Sequence, residues 1–394
     1  MGSAMKSAPG VAVESGAAAA NGGNGARGEH GRLLWVDVGK GLSIVGVVVY
    51  HAVIYTGDKD TVFRWFSDSL LPIRMSLFFL LSGLFAHKVS EMTWGDLFRR
   101  KLWFWLVPYL AWSVVSVSVM LNFGNVETRD LPIWSYVFVP GNGLWFLYGL
   151  MVFTIVARAL RQIEPAVVMW AVVVLSLVSP LLELPGGLRR MMMFAPYFFI
   201  GLYCRRFLIE FSAERRGAGK WFLFTVVAVA FYKLGLLAYQ FTVLGEFVAE
   251  RAERQAVAGQ LVTTWLHVVM YAGALPMGIF LALVLSGVPG VRTVLAWYGR
   301  NTLPIYLANE SAIWLSFRVW VLWGPDEVPR WFVSSVLLAG TMATCHLVQV
   351  AARIPVIGWC VTPPPPPTNK SSPFPAPTPQ GRRTGAKSPE RPSR

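Results

Sequence analysis

The stretch "DVGKGLSIVGVVVYH", residues 37–51, lies inside an apolar run that extends from about residue 34 to 55. Some 20 apolar residues are what a helix needs to cross the hydrocarbon of a bilayer. Asp37, Lys40 and His51 interrupt this run. Ionisable groups are costly in lipid, and where they are retained they face a bundle interior and do chemistry. The stretch therefore reads as a membrane helix built around a polar stripe.

The rest of the chain supports a bilayer as its solvent. Of 394 residues, 55% are hydrophobic and 14% charged, against about a quarter charged in soluble domains. The mean hydropathy is +0.50. Apolar runs recur near 34–55, 69–87, 102–122, 143–160, 165–183, 191–208, 220–243, 260–286, 302–323 and 331–352. The segment "PGVRTVLAWYGR" (289–300) is too short to span and reads as a re-entrant or interfacial piece. The expected fold is all-α, a polytopic integral membrane protein of about ten transmembrane helices.

Charge sets the orientation. Lys88, Arg99, Arg100, Lys101, Arg158, Arg161, Arg205, Arg206, Arg215, Arg216, Lys220, Arg292, Arg300 and Arg353 all fall in alternate connecting segments. The intervening ones, such as "NVETRD" (125–130) and "GPDEVPR" (324–330), are mixed or acidic. Basic loops face the cytoplasm, so both termini are expected there. The Arg189–Arg190 pair alone breaks the alternation. The net charge of +14 is thus topological, and nucleic acid is not an expected partner.

Three domains follow from composition. Residues 1–31 are rich in Ala, Gly and Ser and read as a disordered lead-in without a signal-peptide core. Residues 32–353 form the membrane body. Residues 354–394 form a cytoplasmic tail, Pro-rich and basic from about 361, expected to be extended and solvated. Cys204, Cys345 and Cys360 lack metal-ligand spacing, so no metal and no disulfide framework is expected.

Within the opening helix, Lys40 and His51 are eleven residues apart, which returns a helix to nearly the same face about 16 Å further along. Asp37 lies three before Lys40, within pairing range. Elsewhere, "RMSLFFLLSG" (74–83) places Arg74 near the level of His51, and "RRKLWFWLVPYLAW" (99–112) puts three cations at an inner mouth. "GNGLWFLYGL" (141–150) starts the fourth helix, and "GRNTLPIYLANE" (299–310) carries Asn309 and Glu310 into the ninth, with Pro304 breaking it.

In this order the motifs resemble the acyltransferase-3 family of integral-membrane bacterial O-acyltransferases. The resemblance rests on Asp37, Lys40–Gly41 and His51; on Phe78, Phe79, Ser82 and Gly83; on Arg99–Lys101 and Pro108–Trp112; on Trp145–Leu147; and on Gly299–Leu307. It covers roughly residues 32–352. Lys40 stands where Arg is commoner, as in a "KG" branch, and Arg74 and Asn309 occupy positions that often hold His. These departures leave His51 as the one well-placed imidazole.

The resemblance implies transfer of an acyl group, usually acetyl, from a cytoplasmic acyl-CoA to a hydroxyl of an envelope polysaccharide, oligosaccharide or glycolipid, in the bacterial inner membrane. No permanently bound cofactor is implied. His51 would be general base or acyl carrier, with Arg74 and Asn309 near the oxyanion and Glu310 fixing charge states. Lys40, Asp37, Arg99, Arg100 and Lys101 would serve the donor, and Asn142, Trp145 and Ser82 the acceptor. The acceptor, the acyl chain and the oligomeric state stay open. Polar residues stacked across a bundle equally suit a transporter or flippase, and a scaffold acting through the Pro-rich tail is a third reading.

Overall fold

The computed structural model describes residues 27–28, 32–57, 61–123, 143–182, 184, 186–213, 223–235, 237, 241, 256–325 and 327–366. Apart from a two-residue antiparallel pairing of Arg27–Gly28 with Arg32–Leu33, the described chain is built from helices. They are α1 (Leu34–Thr56), α2 (Val62–Leu84), α3 (Trp94–Leu97), α4 (Trp103–Phe123), α5 (Trp145–Ala159), α6 (Pro165–Val178) and α7 (Gly186–Tyr203). There follow α8 (Arg205–Ala213), α9 (Leu223–Gly235), α10 (Ala256–Leu285), α11 (Pro289–Arg300), α12 (Thr302–Trp323), α13 (Arg330–Ala351) and α14 (Pro355–Gly358).

Six of these are long and apolar enough to cross a bilayer: Leu34–Thr56, Val62–Glu91, Trp94–Val119, Pro165–Leu182, Thr264–Leu285 and Arg330–Ala351. The pair Gly187–Tyr203 and Arg205–Ser212, bent by 68°, makes a seventh if taken as one span. The remaining expected spans are shorter helices, Trp145–Ala159 and Leu223–Gly235, or the polar-interrupted α12. A multi-pass, all-helical membrane protein is what the chain forms.

Local chemistry explains several boundaries. Thr61 caps α2 by accepting the Phe63 N–H at 3.2 Å, and Gly57 closes α1 at φ 60°, a conformation open to glycine at little cost. Pro72 lies inside α2 and removes a ladder donor, and the Ser76 hydroxyl donates to the Pro72 carbonyl at 2.7 Å. Pro304 does not break its helix. It sits in the first turn of α12, where a missing N–H costs nothing because that donor has no intrahelical partner.

Two helices form the centre. In the apolar windows of α1 and α2, 67% and 72% of residues are buried, against 28% for α6 and 22% for α13. The latter two therefore present their apolar sides outward, as Trp170, Val174 and Leu347 do. α1 packs against α2, α10, α11, α12 and α13.

Glycines let the backbones touch at two crossings. A Cβ on Gly41 would collide with the Leu295 carbonyl, and one on Gly299 with the Asp37 carbonyl, so α1 and α11 approach reciprocally. Gly83 against the Phe198 carbonyl and Gly201 against the Leu80 carbonyl do the same for α2 and α7. Small residues at helix crossings are how membrane helices gain packing when lipid supplies no hydrophobic drive. The 289–300 segment is thus a twelve-residue helix braced against the first half of α1.

The expected tail begins with structure. Residues 355–358 are helical, Val361 is buried, and the Trp112 and Trp103 indoles donate to the carbonyls of Cys360 at 3.1 Å and Pro364 at 2.8 Å. The composition of this stretch does not reveal those partners, which lie on α4.

Candidate functional site: two cavities meeting at Tyr306

Two of the cavities among the described residues lie along the polar stripe of α1, one on each half of it. The first, about 170 Å³, is lined by Lys40, Ser82, Phe85, Lys101, Phe146 and Tyr306 among others. The second, about 420 Å³, is lined by His51, Arg74, Trp145, Arg189, Arg190, His267, Tyr306 and Glu310 among others. Tyr306 borders both.

The Lys40 cavity sits at the end of α2. Lys40 Nζ stands 4.5 Å over the Phe85 ring, and Lys101 Nζ donates to the Phe85 carbonyl at 3.3 Å. Both ammonium groups thus gather at a helix C-terminus, where the backbone carries partial negative charge. Lys101 arrives there from a π-helical turn, Phe98–Leu102, which re-aims the basic run. Arg99 and Arg100 are exposed outside the cavity, Arg100 pairing with Asp96 at 3.5 Å. Ser82, expected with Trp145, lines this cavity instead, and its hydroxyl donates to the Phe78 carbonyl at 2.8 Å.

In the second cavity the imidazole is held from one side. His51 Nδ1 lies 2.8 Å from the Val47 carbonyl, one turn earlier on α1. A carbonyl only accepts, so Nδ1 carries the proton and Nε2 keeps its lone pair. The Asn309 carboxamide nitrogen is 3.0 Å from the same Nδ1, and Asn309 Oδ1 is buried without a hydrogen-bond partner. Rotating that amide by half a turn brings Oδ1 to the proton as a second acceptor. Both contacts fall on Nδ1 and leave Nε2 unengaged.

Arg74 is 8% exposed, with its guanidinium carbon 3.6 Å over the Tyr50 ring and Nη1 buried without a hydrogen-bond partner. Glu310 faces α5: its Oε2 accepts the Gly143 N–H at 2.6 Å. One turn before it, the Tyr306 hydroxyl donates to the Gly143 carbonyl and accepts the Phe146 N–H at 3.1 Å. Two side chains of α12 therefore pin the N-terminus of α5 and with it Trp145, over which Arg190 lies at 5.6 Å.

The structure brings His51, Arg74, Asn309, Glu310 and Trp145 together, and it places Lys40 and Lys101 at the other cavity. Asp37 is buried, and its carbonyl packs on Gly299 at the α1–α11 crossing, away from both linings. Asn142 lies outside the described residues. His51 is not the sole imidazole in place, because His267 of α10 reaches the same cavity and stacks on Tyr271 at 6.0 Å. Tyr306, Arg189, Arg190 and His267 were missed by the motif reading. The arginine pair left a trace in the sequence as the break in charge alternation, and Tyr306 lies within the Gly299–Leu307 motif without being singled out there.

The acyltransferase-domain family model matches residues 33–349, nearly the whole membrane body. The inner membrane protein YcfT of Escherichia coli (strain K12) is 28% identical over 200 residues, covering 43% of this chain and 56% of that relative. The match thus spans little more than half the length of that relative. No solved structure matches the chain. With the family match running from the start of α1 to the end of α13, the chain belongs to the acyltransferase-3 family of membrane acyltransferases.

Proposed function

We propose that the protein transfers an acyl group, acetyl in the simplest case, from an acyl-CoA entering at the Lys40 cavity to a hydroxyl of an envelope glycan or glycolipid in the His51 cavity. The observation that carries this reading is the pair of cavities bordered by Tyr306, narrow and lined by Lys40 and Lys101 on one side, wider and bearing His51 with Arg74 on the other.

The sizes suit the two substrates. Sites for whole drug-sized ligands run to about 300–1,000 Å³. The 170 Å³ cavity is below that and suits the thin pantetheine arm, with the donor's phosphates outside near Lys40 and Lys101. The Lys40–His51 separation of about 16 Å along the helix matches such an arm. The 420 Å³ cavity falls within the range and suits a sugar.

Chemically, His51 Nε2 removes the acceptor hydroxyl proton as its oxygen attacks the thioester carbonyl carbon. Negative charge gathers on the carbonyl oxygen, beside the Arg74 guanidinium. Collapse of that adduct breaks the C–S bond, and the thiolate takes the proton from the imidazolium. Ester and free CoA are the products. The Asn309 carboxamide orients the ring, and Glu310 orders the α5 terminus. Lys101, rather than Arg99 or Arg100, serves the donor beside Lys40.

In this reading ten helices span the bacterial inner membrane, with both termini in the cytoplasm. The six apolar helices, the bent pair, Trp145–Ala159, Leu223–Gly235 and α12 supply the ten. Reconstituted protein incubated with acyl-labelled acetyl-CoA and an envelope extract tests the activity. Ester-linked label in glycan is expected. Unmodified glycan carried across the vesicle, with no label transferred, would establish a transporter instead.

A further inference from the structure

The His51 cavity contains more positive charge than the reaction uses. Arg189 and Arg190, the fourth and fifth residues of α7, line it together with Arg74 of α2. Among the described residues Glu310 is the only acid in the lining; its carboxylate accepts the Gly143 N–H at 2.6 Å and interacts electrostatically with Arg190, which leaves the cavity with a surplus of positive charge. Among the described residues none of the three arginines forms an ion pair. Arg74 in addition keeps Nη1 buried and unpartnered. A buried donor without an acceptor costs free energy unless a ligand supplies one.

Arg189 and Arg190 also violate the charge alternation that every other basic segment follows. Topology therefore does not account for them. Their place in the cavity lining, with Arg189 half-buried and the exposed Arg190 holding its guanidinium carbon 5.6 Å from the Trp145 ring centroid, gives a different reason to keep them. An aromatic ring beside a guanidinium is a surface on which a sugar stacks while its oxyanion pairs with the fork of donors.

We infer that the acceptor is an anionic saccharide, carrying a carboxylate or phosphate on or next to the acylated sugar, and that Arg189 and Arg190 bind that group. The inference rests on the acyl-transfer reading above. Arg74 serves the reacting carbonyl; the α7 pair selects the acceptor.

The test uses full-length protein in nanodiscs, labelled acetyl-CoA, and matched oligosaccharides that are neutral, carboxylated or phosphorylated. The unaltered protein is expected to favour one charged series over the neutral one by about tenfold or more in kcat/KM, the scale of one charge-assisted hydrogen bond. That preference should shrink as salt is raised from 0.1 to 1 M, over which the screening length falls from about 10 to 3 Å. Which charged series is preferred separates carboxylate from phosphate. Arg190→Gln should raise the KM for the charged acceptor about tenfold, with Arg190→Lys recovering part of it.

Equal use of neutral and charged acceptors overturns the inference and leaves acyl transfer standing. So does an Arg190→Gln variant whose KM rises for acetyl-CoA rather than for the acceptor. No label in any acceptor, from protein shown to bind acetyl-CoA, overturns the acyl-transfer reading itself. The comparison of acceptors needs no variant, so a misfolded Arg190→Gln protein does not block the test.

Discussion

The Asn309 carboxamide lies 3.0 Å from His51 Nδ1, joining α12 to α1 across 258 positions of the chain. With the Val47 carbonyl it holds the ring from the Nδ1 side, so Nε2 faces the cavity that Arg74 and Trp145 share. Asn309→Ala should lower kcat about tenfold to a hundredfold, as loss of an orienting partner does elsewhere, with acceptor KM little changed. Asn309→Gln, with the amide one carbon further out, should not restore it. Steady-state kinetics in nanodiscs read both effects.

His51 itself is the stronger test. His51→Ala should lose about 10²–10⁴ in kcat, the usual contribution of a positioned general base, while the protein inserts and purifies normally. An insertion-competent variant with unaltered rate would remove the imidazole from the chemistry.

Lys40 and Lys101 meet at the end of α2. Lys40→Ala should raise the KM for acetyl-CoA about tenfold, from the loss of one charge-assisted contact, with acceptor KM unchanged. Lys40→Arg should be tolerated. An equal loss at saturating donor would refute the donor role.

Tyr306 ties the Gly143 carbonyl and the Phe146 N–H to α12. Tyr306→Phe keeps the ring but strands both backbone groups, at a cost of about 1–3 kcal/mol for a buried polar group. A lower melting temperature in detergent, together with weaker acceptor binding, is expected, because Trp145 rides on the same helix start.

The end of the chain separates into two parts. Truncation after residue 366 should leave stability and activity unchanged, since the segment that packs on α4 is retained. Truncation after residue 359 removes Val361 and the carbonyls that Trp103 and Trp112 use, and should lower the melting temperature. Thermal unfolding of the two truncations distinguishes them.

The membrane class, the helix positions and the Lys40–His51 stripe were legible because each depends on spacing within one segment. Hydropathy marks a span, and eleven residues of helix return to one face. The family followed from motifs in register. Pro304 misled for a local reason: a proline in the first helical turn and one in mid-helix look alike until the boundary at Thr302 is known. Arg99 and Arg100 were grouped with Lys101, yet a π-helical turn sends only Lys101 into the cavity.

By itself, then, the sequence determined that this protein is a helical membrane acyltransferase-family member with a cation and an imidazole on one stripe. Only the tertiary structure decided that the stripe opens into two cavities, that Tyr306 borders both, and that Asn309, Arg189, Arg190 and His267 converge with His51. The Asn309–His51 contact and the bonds of Tyr306 and Glu310 to Gly143 join segments far apart in the chain. Periodicity shows which face of a helix is polar; which other helix faces it is settled by packing.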